Sequence, residues 1–144
     1  MKYFIKTLCL LISFSAISQT KKPIDIIKQI SIADTVVFTA DNSGCFHSYI
    51  GVFKFCKQKS GDRKLIYRTD GEWLTKSISA KNYSAFINKY KASTNHFKKI
   101  DTDKPTCTST VEFELSNKKK NSKFKNTTCE AEFNPEMFLM ELIK

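Results

Sequence analysis

The residues of this chain best suited to chemistry are its cysteines and histidines. Cys45, His47 and Cys56 fall within "SGCFHSYIGVFKFC", residues 43–56, and Cys107, Cys129 and His96 lie further along. Four chemistries compete for this set. Cys45 and His47 are two apart, so on a strand both side chains would share a face. A structural zinc site, however, takes four ligands, usually in close C-x2-C or H-x3-H pairs, and that spacing is absent. A redox centre would want C-x-x-C beside a βαβ pattern, and neither occurs. A Cys–His nucleophile pair needs a third group to orient the base, and no acid with that role stands out around His47. The remaining chemistry is a covalent staple. Neither a catalytic residue nor a metal ligand is assigned, and no cofactor motif is found.

Whether thiols pair depends on compartment. The chain opens "MKYFIKTLCLLISFSAISQT". Lys2 and Lys6 form a basic start, Leu8 to Ile17 an apolar run, and Ala16-Ile17-Ser18 a small-x-small site. That is the layout of a signal peptide over residues 1–18, and the run is shorter than the ~20 residues that span a bilayer. The sequence thus predicts an exported protein, periplasmic or extracellular, whose mature part is one domain over 19–144. Four cysteines stay in that part: Cys45, Cys56, Cys107 and Cys129. An even number in an exported chain reads as disulfides. Cys107 and Cys129 flank one expected hairpin and are expected to pair, although Cys129 has the wrong strand parity unless a bulge falls near Thr127-Thr128. Cys45–Cys56 follows only by elimination. On one unbroken strand the two would lie about 35 Å apart at ~3.3 Å per residue, against the ~7 Å between Cα atoms that a disulfide tolerates. A reversal near Gly51, a pairing with the other hairpin, or free thiols all stay open.

The elements that must position these residues form an α+β domain: an antiparallel sheet, as a four-stranded meander plus a C-terminal hairpin, with helices packed on one face. "PIDIIKQISIAD" (23–34) reads as a short helix with Pro23 in its first turn. "TVVFTA" (35–40) reads as a strand, "DNSG" (41–44) as a turn, and 46–57 as a long strand with Gly51 at a bulge. "KSGD" (59–62) and Asp70-Gly71 are reversals, placing strands at 64–69 and 72–78. Tyr83, Phe86, Ile87 and Tyr90 fall at i, i+3, i+4 and i+7, one apolar stripe of a helix that Ser79 can cap. Val111, Phe113 and Leu115 alternate with Glu112 and Glu114, predicting a strand over 107–116. A return strand is expected over 122–133, then a closing helix with Asn134 as cap and Pro135 at its first position. Trp73 is expected in the core.

Charge is the last informative feature. The chain has 24 Lys+Arg against 14 Asp+Glu, a net charge of +10. Without Lys2 and Lys6 the balance is 22 to 14, or +8. Residues 54–68 carry six basic residues and one acid, and residues 118–125 carry five lysines and no acid. If the two tips share one end of the sheet, Lys118, Lys119, Lys120, Lys123 and Lys125 form an anion-attracting patch; otherwise they are solvated turns that protect sheet edges. Only Arg63 and Arg68 supply the bidentate fork used on phosphates, and exposed aromatics are not interleaved with the lysines. Nucleic acid is therefore not the expected partner. An envelope protein or an anionic polymer fits better. The sequence supports a non-catalytic binding or interaction domain of the bacterial envelope. The alternatives are a periplasmic inhibitor of a hydrolase, acting through an exposed hairpin, and a minor hydrolase built on His47.

Overall fold

A computed structural model describes residues 25–44, 48–69, 71–98, 109–128 and 130–144. The order of elements is α1 (Ile26–Ser31), β1 (Thr35–Gly44), β2 (Ser48–Lys57), β3 (Arg63–Thr69), β4 (Glu72–Ile78), α2 (Ala80–Phe97), β5 (Ser109–Ser116), β6 (Asn121–Asn126), a 3-10 turn (Ala131–Phe133) and α3 (Pro135–Leu142). The six strands form one antiparallel sheet in the order β4-β3-β2-β1-β5-β6. The meander β1–β4 therefore grows from one edge of β1, and the β5–β6 hairpin docks on the other edge. The three helices pack on one face, as the α+β reading requires.

Alternation decides which face they cover. Val36, Phe38 and Ala40 of β1 sit opposite Phe55, Phe53 and Gly51 of β2. Leu65 and Tyr67 extend this face onto β3, and Phe113, Leu115 and Phe124 extend it onto β5 and β6. Onto it α2 lays the predicted stripe of Tyr83, Phe86, Ile87 and Tyr90, all buried. Phe38 is the hub, with ring centroids 5.1 Å from Phe86, 5.6 Å from Phe53, 6.0 Å from Phe113 and 6.1 Å from Tyr90. Such offset and edge-on pairs add to the burial of apolar area. The Tyr90 hydroxyl enters between β5 and β6, accepting from the Leu115 N–H (3.1 Å) and donating to the Ser122 carbonyl (2.5 Å).

The caps follow from local chemistry. Ser79 accepts from the Asn82 N–H at 3.2 Å, and Asn134 accepts from the N–H groups of Glu136 (2.9 Å) and Met137 (3.1 Å). These satisfy donors that helix starts leave open. Gly61 and Gly71 take positive φ of 93° and 85° in the two reversals, a conformation that favours glycine.

Five expectations are corrected. First, α1 begins at the cap Asp25, whose carboxylate accepts from the Lys28 N–H at 3.0 Å, so it starts after Pro23. Second, Asp41 to Gly44 continue β1, because β5 pairs with all four and β2 with Asp41 to Ser43, and two ladders outweigh turn propensity. Third, β2 pairs through Gly51 in unbroken register with Ala40, without a bulge or reversal. Fourth, β6 stops at Asn126, whose side-chain oxygen accepts from the Thr128 N–H at 3.1 Å; this local turn competes with the ladder. Residues 131–133 then form the 3-10 turn rather than strand. Fifth, Trp73 is 60% exposed. It lies opposite Arg68 on the uncovered face of an edge strand, while Leu74 takes the helix side opposite Tyr67.

Candidate functional site

The feature that stands out is a groove of about 830 Å³ between α3 and the sheet. The helix starts over Gly51 on β2 and ends at β4, where the Lys76 ammonium donates to the Ile143 carbonyl. Its first turn sets Glu136 against the sheet, and the residue is only 8% exposed. Gly51 makes room: a Cβ there would lie 2.6 Å from Glu136 Oε1. One carboxylate oxygen, Oε2, accepts a 2.6 Å hydrogen bond from the Tyr49 hydroxyl. Beside them Asn42 Oδ1 is buried without a hydrogen-bond partner among the described residues. Asn42, Tyr49, Gly51 and Glu136 share the groove with Phe53, Tyr67, Met137 and Met140, while Arg68, Glu141 and Lys144 bring charge.

Burial raises the Glu136 carboxyl above its ordinary value, and the Tyr49 hydrogen bond pulls the other way. Tyr49 is pushed up to about 12, by burial first and by its bond to Glu136 second, with the Asn42 amide opposing through its own bond to the hydroxyl. At neutral pH the phenol is a neutral donor to the carboxyl and not a base. The arrangement supplies hydrogen-bond acceptors at the groove floor and apolar surface along its wall. That combination is typical of ligand sites, which commonly occupy 300–1,000 Å³.

The sequence-derived candidates fare differently. Cys45, His47, Cys107 and Cys129 lie outside the described residues. Cys56 is a free, half-buried thiol on β2, opposite Thr35 and Lys64 in register. His96 stacks on Phe133, with ring centroids 3.7 Å apart, and its Nε2 lies 3.1 Å from Glu130 Oε2. It joins α2 to the 3-10 turn. Among the described residues no group of three or more His, Cys, Asp or Glu side chains is placed to hold a metal.

The two basic turns, after β2 and after β5, do share one end of the sheet. About three strand spacings, ~14 Å, separate them. Not all their cations are free, however. Lys123 lies 2.9 Å from Glu114 and 3.4 Å from Glu112, and Lys125 lies 3.8 Å from Glu112. The Lys120 ammonium donates to Gln29. Arg63 is buried: its guanidinium donates to the carbonyls of Ala33 (2.6 Å) and Ser31 (2.9 Å) and sits 4.4 Å over the Tyr83 ring. It anchors the end of α1 and is not part of the patch. Lys118 and Lys119 remain exposed at the tip.

No helix among the described residues is long and apolar enough to cross a membrane. Sequence reading passed over Glu136, Tyr49 and Gly51. The signals existed in part, as a glycine inside a strand and a glutamate in a first helical turn. Their meeting across 85 residues of chain has no signature in one sequence. Comparison with known proteins adds no name: no family model matches the chain, and no curated protein is significantly similar to it.

Proposed function

We propose that this protein is an exported, non-catalytic binding domain of the bacterial envelope and that the groove under α3 is its recognition surface. One observation carries the reading. A carboxyl group is buried at the floor of an open groove with a single hydrogen-bond partner among the described residues, and a strand glycine leaves it the space. A buried carboxyl with spare acceptor capacity costs stability unless something satisfies it, so its position favours a role in recognition. The leader-like start of the chain supports export.

Equilibrium dialysis against low-mass solutes extracted from the native envelope tests the proposal, with mass spectrometry reading what is retained. Wild type should concentrate one or a few compounds, and Met140→Trp, which fills the groove, should lose them. Equal retention by both proteins would remove the groove from the function.

A further inference from the structure

Around Glu136 the groove floor is richer in acceptors than in donors. An ionised carboxylate offers about four lone-pair sites, and among the described residues the Tyr49 hydroxyl is the one donor to Glu136. That hydroxyl has committed its only proton to Glu136 and already accepts from the Asn42 amide, so it offers the groove no donor. Asn42 Oδ1 has no hydrogen-bond partner among the described residues, but it is closed off from the groove. The donors that α3 could have supplied are occupied, because Asn134 takes the N–H groups of Glu136 and Met137. Spare acceptor capacity therefore lies on Glu136, and the backbone donors nearest to it are already used. An anionic ligand would find the reverse of what it needs there.

The wall is apolar and aromatic. Phe53 and Tyr67 stack with centroids 6.0 Å apart at 13°, and Met137 is half exposed beside them. Aromatic faces attract cations, more strongly where water is excluded. Arg68, Lys144 and Glu141 also line the groove, so its cations are partly offset, and the carboxyl of Glu136 is the group withdrawn from water.

The geometry points to a ligand that carries a primary ammonium group on an apolar body, its N–H donors on Glu136 and its body along Met137 and Met140. This inference rests on the groove being the recognition surface. A cation here satisfies acceptors that are otherwise left short, and it neutralises a carboxylate whose burial is unfavourable on its own.

The chain itself provides the probe. It contains three methionines, and apart from Met1 both line the groove. Methyl-13C methionine labelling thus reports this site with almost no background. The full mature protein is titrated separately with hexylammonium, hexanol and hexanoate, which share a chain and differ in the head group. Hexylammonium should shift the Met137 and Met140 methyl resonances saturably, and the other two should need at least tenfold higher concentration. Glu136→Gln should weaken hexylammonium tenfold or more while leaving the Trp73 indole resonance, on the opposite face, in place. Asn42→Asp, which adds a second negative charge, should tighten it. If hexanol or hexanoate shifts the methyls as well as hexylammonium does, the cation assignment is wrong and the groove reading survives. If no probe moves either methyl, both fall.

Discussion

Gly51 on β2 lies directly beneath Glu136 on α3, so close that a methyl group at position 51 would meet Oε1 at 2.6 Å and the Phe53 ring at 3.1 Å. Neither residue is explained by its own element. Glycine weakens a strand interior, and a glutamate that is 8% exposed is rare without a charged partner. Together they hold a carboxyl group against the sheet at the floor of a groove.

Gly51→Ala should therefore disturb α3 more than β2. The Glu136 carboxyl must leave the Tyr49 hydroxyl or the helix must lift, costing about 1–3 kcal/mol as overpacking does. Glu136→Ala removes the obstructing atoms, so the double variant should be more stable than the sum of the single effects by at least ~0.5 kcal/mol. Urea denaturation of the four proteins measures this. Strict additivity would mean that the two residues do not compete for one space.

Stability should also carry the signature of Glu136 in its pH dependence. Burial raises this carboxyl in the folded protein above its ordinary 4.5. As pH falls, the folded state takes up the proton before the unfolded chain does, so this group adds stability on acidification. The gain begins as pH falls toward the raised folded value and is complete below the ordinary one. Glu136→Gln removes the titration and keeps the shape. Wild type should thus gain on Glu136→Gln between neutral pH and about pH 4, read from urea midpoints at several pH values. A wild type that loses ground to the variant on acidification would reverse the sign of the shift.

The basic end of the sheet gives a separate expectation. Lys123 and Lys125 are engaged by Glu112 and Glu114, whereas Lys118 and Lys119 point to solvent at the tip. On a heparin column at low salt, Lys118→Gln, Lys119→Gln and Lys120→Gln together should lower the salt needed for elution. Lys123→Gln with Lys125→Gln should change it little. Stability should stay within about 0.5 kcal/mol for the tip triple, as for most surface changes. Equal effects of the two sets would mean that the cross-strand pairs do not hold in solution.

The elements were legible in the sequence because each carried local chemistry. Tyr83, Phe86, Ile87 and Tyr90 announce a helix by spacing alone, Asn134-Pro135 announces another by capping, and Asp70-Gly71 announces a reversal. What failed was what depends on neighbours. Asp41 to Gly44 look like a turn until strands on both sides pair with them, and Trp73 looks like core until β4 proves to be an edge whose face is decided by register. Asn126 ended a strand that composition would have continued. The site was less legible still. Cysteine and histidine drew attention because their chemistry is conspicuous, while the groove is made from a glycine, a tyrosine, an asparagine and a glutamate that sequence scatters over positions 42 to 136.

Export and pairing of the thiols are tested together. Protein recovered from the native envelope should begin near Gln19 by intact mass, and non-reducing peptide mapping should find Cys107 joined to Cys129. Replacing that pair by serine should cost about 2–4 kcal/mol. Retention of residues 1–18, or four free thiols, would contradict the compartment assignment.

Recognition under α3 and recognition on the uncovered face of the sheet are separable in one measurement. One spectrum reads both places, since Met137 and Met140 line the groove and Trp73, the sole tryptophan, lies on the open face. Protein labelled on the methionine methyls and the indole nitrogen is titrated with the low-mass extract of its native envelope. The two methyl resonances should move and the indole resonance should stay. A moving indole with stationary methyls would contradict recognition under α3.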